Sequence, residues 1–131
     1  MVEKYYAYFF TRQDISPEQQ LVQTAHAAFK LGVCMEQNIS GEGLTTEKKS
    51  GRRIMTKKTN PDETYFTVVG VRDVLALEAM VTILKEFGYA HEVFYEPDIG
   101  NEPTSIAVYP IHEIDRGVLM AFNLLKMSNS G

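Results

Sequence analysis

Tyr5-Tyr6-Ala7-Tyr8-Phe9-Phe10-Thr11 is apolar or aromatic at almost every position and shows no in-and-out alternation. A strand with two apolar faces must be covered on both, so this run predicts the centre of a sheet with helices on either side. Shortly after it, Ser16-Pro17-Glu18-Gln19 supplies a hydroxyl N-cap, a proline at the first helical position, a carboxylate near the positive helix end and a glutamine at the capping-box position. A helix therefore starts there. Its residues Gln19, Gln23, His26 and Lys30 fall within about 60° of one another at helical pitch and form a polar ridge. Leu21, Val22, Ala25, Ala28, Phe29 and Gly32 lie on the other side, which predicts that this apolar side rests on the sheet.

Residues 40–63 form a long polar and basic loop, punctuated by Gly41, Gly43, Gly51 and Asn60-Pro61-Asp62, with a short hairpin or helical turn around Ile54-Met55. Tyr65 to Val71 reads as a second strand. Asp73 caps a following helix along Val74, Leu77, Val81 and Leu84, and Gly88 stops it. His91 to Tyr95 and Thr104 to Tyr109 make two further strands, joined through Glu96-Pro97-Asp98-Ile99-Gly100-Asn101. That link is too short for a crossover helix, so this pair is antiparallel and the sheet is mixed. Ile114, Val118, Ala121, Phe122 and Leu125 repeat at helical spacing and predict a C-terminal helix. The expectation is a single α/β domain over residues 1–131, a three-layer fold with a four-stranded mixed sheet flanked by helices.

Hydrophobic residues at 44% and charged residues at 23% are ordinary for a soluble globular chain. No apolar run approaches the ~20 residues that span a bilayer. With no secretory pattern in Met1-Val2-Glu3-Lys4, the expectation is a cytoplasmic protein without a membrane partner. Cys34 is alone and can form no internal disulfide. The net charge of −4 hides an asymmetry, because Lys48, Lys49, Arg52, Arg53, Lys57 and Lys58 are six of thirteen basic residues. That segment can attract a polyanion that the rest of the chain repels, or it is a solvated loop.

Several chemistries are absent. The first strand-to-helix turn, Thr11-Arg12-Gln13-Asp14-Ile15-Ser16, has no phosphate-cradling glycines, and the chain has no G-x-S-x-G, no H-E-x-x-H and no Cys/His cluster. No cofactor and no metal site is expected. What remains is acid–base or hydrogen-bonding chemistry, with His26 on the ridge and Asp98 in the turn as candidates; each also has a purely structural reading.

Gln23-Thr24-Ala25-His26-Ala27-Ala28, the turn Asp98-Ile99-Gly100, and Thr104-Ser105-Ile106-Ala107-Val108-Tyr109-Pro110 together resemble the type II peptidyl-tRNA hydrolases, over most of the chain from Tyr5 to about Lys126. The resemblance implies cleavage of the ester between a peptide and the terminal ribose of tRNA, with tRNA as partner and a homodimer as an open arrangement. It implies that His26, Asp98 and Thr104 surround the ester, the carboxylate or imidazole positioning water and the hydroxyl donating to the oxyanion. Gln19, Gln23, Lys48, Lys49, Arg52 and Arg53 are the expected substrate-binding residues. Where the family carries a lysine this chain has Gln19, which donates hydrogen bonds but brings no charge. The alternative is a non-catalytic relative that binds RNA or protein; a regulatory small-molecule domain is a third reading.

Overall fold

The computed structural model describes residues 4–38, 46–49, 52–55 and 64–121. Strand β1 (Tyr5–Arg12) lies inside the sheet, as its two apolar faces require. Along one edge it runs parallel to β4 (Thr64–Val71) over all eight residues, from Tyr5 beside Thr64 to Arg12 beside Val71. Along the other edge it pairs antiparallel with β6 (Glu102–Val108) near Phe9 to Thr11, and with the two-residue β7 (Ile111–His112) near Tyr5 and Tyr6. Strand β5 (His91–Glu96) completes the outer antiparallel pair with β6. The four strands expected from the sequence are thus present, and β2 (Thr46–Lys49), β3 (Arg52–Met55) and β7 extend the sheet to seven.

The hairpin β2–β3 falls inside the segment expected to be a long loop, and joins the sheet where Ile54 of β3 pairs with Ile111 of β7.

Helix α1 (Pro17–Asn38) covers one face of the sheet and α2 (Val74–Glu86) the other. Under α2, Tyr8, Phe10, Val69, Ile106 and Val108 pack with Leu77, Met80 and Leu84; under α1, Ala7, Phe9, Ala107 and Tyr109 pack with Ala27, Leu31 and Met35. Alternation along β1 divides its side chains between these two cores. The helix ends follow the local chemistry: the Ser16 hydroxyl accepts from Gln19 N at 3.1 Å, Asp73 Oδ1 accepts from Ala76 N at 3.0 Å, and Gly88 at φ +75° turns the chain out of α2.

Two expectations are corrected. Helix α1 is rotated by more than a third of a turn, roughly 140° at helical pitch, from the orientation its apolar stripe suggests, since Gln20, Gln23, Ala27, Leu31 and Met35 face the sheet while Leu21 (63% exposed), Val22 and Phe29 (76% exposed) face outward. The cause is polar: Gln20 donates to the Ile15 carbonyl, and Gln23 and Thr24 bond to groups of the sheet and its turn. At the other end, residues 113–121 form short 3₁₀ turns at Glu113–Asp115 and Leu119–Ala121 in place of the first turns of a helix. Gly117 disfavours helix there, and the His112 ring accepts from Ile114 N at 3.2 Å, which holds the first turn. Phe122 and Leu125 lie outside the described residues.

The rotation of α1 predicts a contrast between two leucines of one helix. Leu31→Ala should destabilise by about 2–5 kcal/mol, and Leu21→Ala by less than about 0.5 kcal/mol, in urea unfolding. The reverse order would mean that the apolar stripe is the buried one.

Candidate functional site

Gln23 is 2% exposed and uses all of its amide chemistry. Its Nε2 donates to Glu96 Oε1 at 2.8 Å and to Gln19 Oε1 at 3.0 Å, while its Oε1 accepts from the Thr104 hydroxyl at 2.8 Å. The orientation follows from charge: an ionised carboxylate only accepts, so the amide nitrogen must face Glu96 and the amide oxygen must face Thr104. The Thr104 proton is thereby committed to Gln23. By the same logic Gln19 spends its oxygen on Gln23, which leaves its NH₂ as the end available to a ligand.

Thr104 reaches α1 through a bulge. Phe94 pairs with Ser105 and Tyr95 with Pro103, so Thr104 is the extra residue on β6. Strict alternation would place it on the α2 side with Ile106; the bulge re-aims it toward Gln23, beside Ser105. Ser105 makes a second stitch to the same helix. Thr24 donates to the Gln20 carbonyl at 2.7 Å, which fixes the direction of the contacts behind it: Thr11 donates to Thr24 at 2.7 Å and Ser105 to Thr11 at 2.8 Å.

The turn after β5 is shaped by its own carboxylates and by two left-handed residues. Glu96 Oε2 accepts from Asp98 N at 3.2 Å, and Gly100 (φ +72°) and Asn101 (φ +62°) fold the chain back into β6. Hydrogen bonds from the Gln23 amide and from Asp98 N hold the Glu96 carboxyl below its ordinary range, with the nearby His26 adding to the effect. Buried Arg12 braces the corner from below: Nε and Nη2 grip Asp14 at 2.8 and 2.9 Å, and Nη1 reaches Glu102 at 2.7 Å and the Pro103 carbonyl at 3.2 Å. The hydrogen bonds from Arg12 hold the Asp14 carboxyl below its usual value.

Between α1 and this corner lies an open cleft of about 320 Å³, lined by Ile15, Gln19, Val22, Gln23, His26, Glu96, Asp98 and Ile99. The exposed His26 ring rests on Phe94, with centroids 4.7 Å apart, and borders the cleft with the exposed Asp98. Of the sequence candidates, Gln19, Gln23, His26 and Asp98 meet here. Thr104 is buried one hydrogen bond behind the surface. Lys30 is tied to the Val93 carbonyl at 2.8 Å and does not line the cleft. Lys48, Lys49, Arg52 and Arg53 sit on the hairpin attached at the Tyr6 end of β1, the opposite end from the cleft.

Glu96 is the residue that sequence reasoning passes over. Its only local signal is a carboxylate two residues before the Asp98 amide it accepts from, which reads as turn chemistry. The apolar walls Ile15, Val22 and Ile99 carry no signal at all, since each looks like a core residue.

The groups offer an exposed carboxylate, an imidazole and amide donors beside an apolar wall. Among the described residues no group of three or more His, Cys, Asp or Glu side chains is placed to hold a metal ion, and no helix is long and apolar enough to cross a membrane. Neither the models of known protein families nor curated proteins of known sequence match the chain.

Replacing Gln23 by leucine removes the donor that favours ionised Glu96, so the Glu96 midpoint should rise toward that of an ordinary glutamate in a carboxyl NMR titration. The sign for stability follows. A depressed folded pKa contributes stability that is complete above the unfolded value and lost as pH falls through the folded one, so Gln23→Leu should lose less stability on acidification than the natural chain. An unmoved midpoint would remove Gln23 as the cause.

Proposed function

We propose that the cleft hydrolyses the ester that joins a peptide to the terminal ribose of tRNA. The observation that carries this reading is the meeting of the α1 ridge with the β5–β6 corner, more than 70 residues apart in sequence, around one concave site. These are the segments on which the resemblance to type II peptidyl-tRNA hydrolases rests.

Asp98 accepts a hydrogen bond from the attacking water and turns its lone pair toward the ester carbonyl. As the water oxygen bonds to the carbonyl carbon, charge grows on the carbonyl oxygen, and the Gln19 NH₂ donates to it. The carbon–oxygen bond to the ribose then breaks. The proton lost by water passes to Asp98, and protonated His26 supplies one to the departing ribose oxygen, so the products are a peptide carboxylic acid, which ionises by releasing its proton to solvent, and a free ribose hydroxyl; Asp98 then returns its proton to His26 through solvent. Ile15, Val22 and Ile99 offer apolar contact to the peptide. Thr104 is a positioning residue in this scheme: with its proton on Gln23 it fixes the amide that orients Gln19 and Glu96.

Asp98→Asn and His26→Ala should each lower kcat on peptidyl-tRNA by about 100-fold or more, with the melting temperature unchanged because both side chains are exposed. Full activity in both variants would remove the mechanism.

A second reading is favoured by the neutral Gln19 and by the exposed apolar stripe of α1: a non-catalytic relative that binds RNA or protein. A natural chain that leaves peptidyl-tRNA intact, together with a Gln19→Lys variant that cleaves it, would establish that reading.

A further inference from the structure

Among the described residues the ionisable side chains lining the cleft are His26, Glu96 and Asp98, and the hydrolytic scheme gives Glu96 no part in the chemistry. Its carboxylate is nonetheless held at both oxygens. Oε1 accepts from Gln23 Nε2 at 2.8 Å and Oε2 from Asp98 N at 3.2 Å. An ionised carboxylate offers about four lone-pair sites, so each oxygen keeps one open. Half-buried, and kept ionised by those same donors, Glu96 is a preorganised acceptor facing the cleft rather than a surface acid free to swing.

The charge of the cleft is one-sided. Two carboxylates line it, and among the described residues no lysine or arginine does. Arg12 stands behind the corner with its guanidinium committed to Asp14, Glu102 and the Pro103 carbonyl, and Lys30 is tied to the Val93 carbonyl. An oxyanion that grows beside Glu96 and Asp98 therefore meets like charge, and Gln19 answers it with an amide donor that carries none. A cation brought in by the substrate removes this conflict. The α-ammonium of an amino acid is well placed for it, because its nitrogen lies about 2.5 Å from the ester carbonyl carbon by ordinary bond lengths and angles. Acylating that nitrogen, as a peptide does, keeps an N–H but discards the charge.

We propose that Glu96 receives the α-ammonium of an unblocked amino acid esterified to the 3′ end of an RNA, so that the cleft takes aminoacyl as well as peptidyl esters and holds the aminoacyl form more tightly. The inference rests on reading the cleft as an RNA-ester site, and it adds a second class of substrate to that site. An ammonium N–H donates to an open lone pair of Glu96 and stays protonated throughout. The bonds made and broken are those of the peptidyl reaction, and the products are a free amino acid and a ribose hydroxyl.

The test uses the full chain and Glu96→Gln. Binding is measured with uncleavable adenosine analogues in which an amide replaces the 3′ ester: one carrying phenylalanine, one N-acetylphenylalanine and one phenyllactate, where a hydroxyl stands in place of the amine. Cleavage is measured as kcat/KM on phenylalanyl-tRNA and N-acetylphenylalanyl-tRNA, each corrected for its rate without protein. The natural chain should bind the phenylalanine analogue about tenfold or more tightly than either neutral one, with a similar ratio between the two esters, and Glu96→Gln should bring the binding ratio near one. The Glu96 carboxyl signal in NMR should move with the phenylalanine analogue and not with phenyllactate, which decides the matter even if Glu96→Gln does not fold. Equal affinity for the three analogues would overturn the proposal, as would a preference that survives in Glu96→Gln at the natural melting temperature. If neither ester is cleaved but the analogues rank as expected, the hydrolase reading fails and the ammonium seat stands; if both esters are cleaved alike and the analogues bind alike, the seat falls and the hydrolase reading stands.

Discussion

The buried Gln23 amide ties the first helix to the far end of the chain. An amide is suited to this place because it carries a donor end and an acceptor end, and the corner it meets presents one of each, the Glu96 carboxylate and the Thr104 hydroxyl. Neither an apolar residue nor a carboxylate could satisfy both. Because a buried polar group left without a partner costs on the order of 1–3 kcal/mol, losing either Glu96 or Thr104 would strand one end of the buried amide. That requirement explains the β6 bulge: without the extra residue Thr104 would point toward α2, and the acceptor end of the amide would be unpaired.

The same amide sets how α1 sits. Hydrophobic burial is non-directional and scales with area, so by that criterion α1 would turn Leu21, Val22 and Phe29 inward. The polar groups are directional, and the helix needs Gln20, Gln23 and Thr24 facing the sheet and its turns to satisfy them. Ala27, Leu31 and Met35 lie on that side and supply enough apolar surface to close the core over Phe9 and Tyr109. The result leaves Phe29 in solvent and the cleft beside a fixed wall.

What could be read from the sequence follows the range of the forces involved. The two-faced β1, the Ser16 and Asp73 caps, the Gly88 stop and the Gly100 turn are set within a few residues and stand where the sequence puts them. The rotation of α1, the bulge and the role of Glu96 depend on partners 73 to 81 positions away, which leave no periodicity to detect. The segment after His112 fails for a local reason instead: its apolar spacing is helical, but Gly117 and the His112 cap favour short turns. The polar ridge was legible as a group, yet its members have different fates. Gln23 is buried, Gln19 and His26 border the cleft, and Lys30 binds a backbone carbonyl.

Charge is partitioned along the sheet in a way that net charge conceals. Acids gather at the cleft end of β1 and the cations of the hairpin at the other, roughly 25 Å away by strand rise. At physiological ionic strength the screening length is about 8 Å, so the two ends are some three screening lengths apart and their fields barely cancel. The two ends of the sheet therefore differ in the sign of the charge that their sequence carries, which the average of −4 conceals.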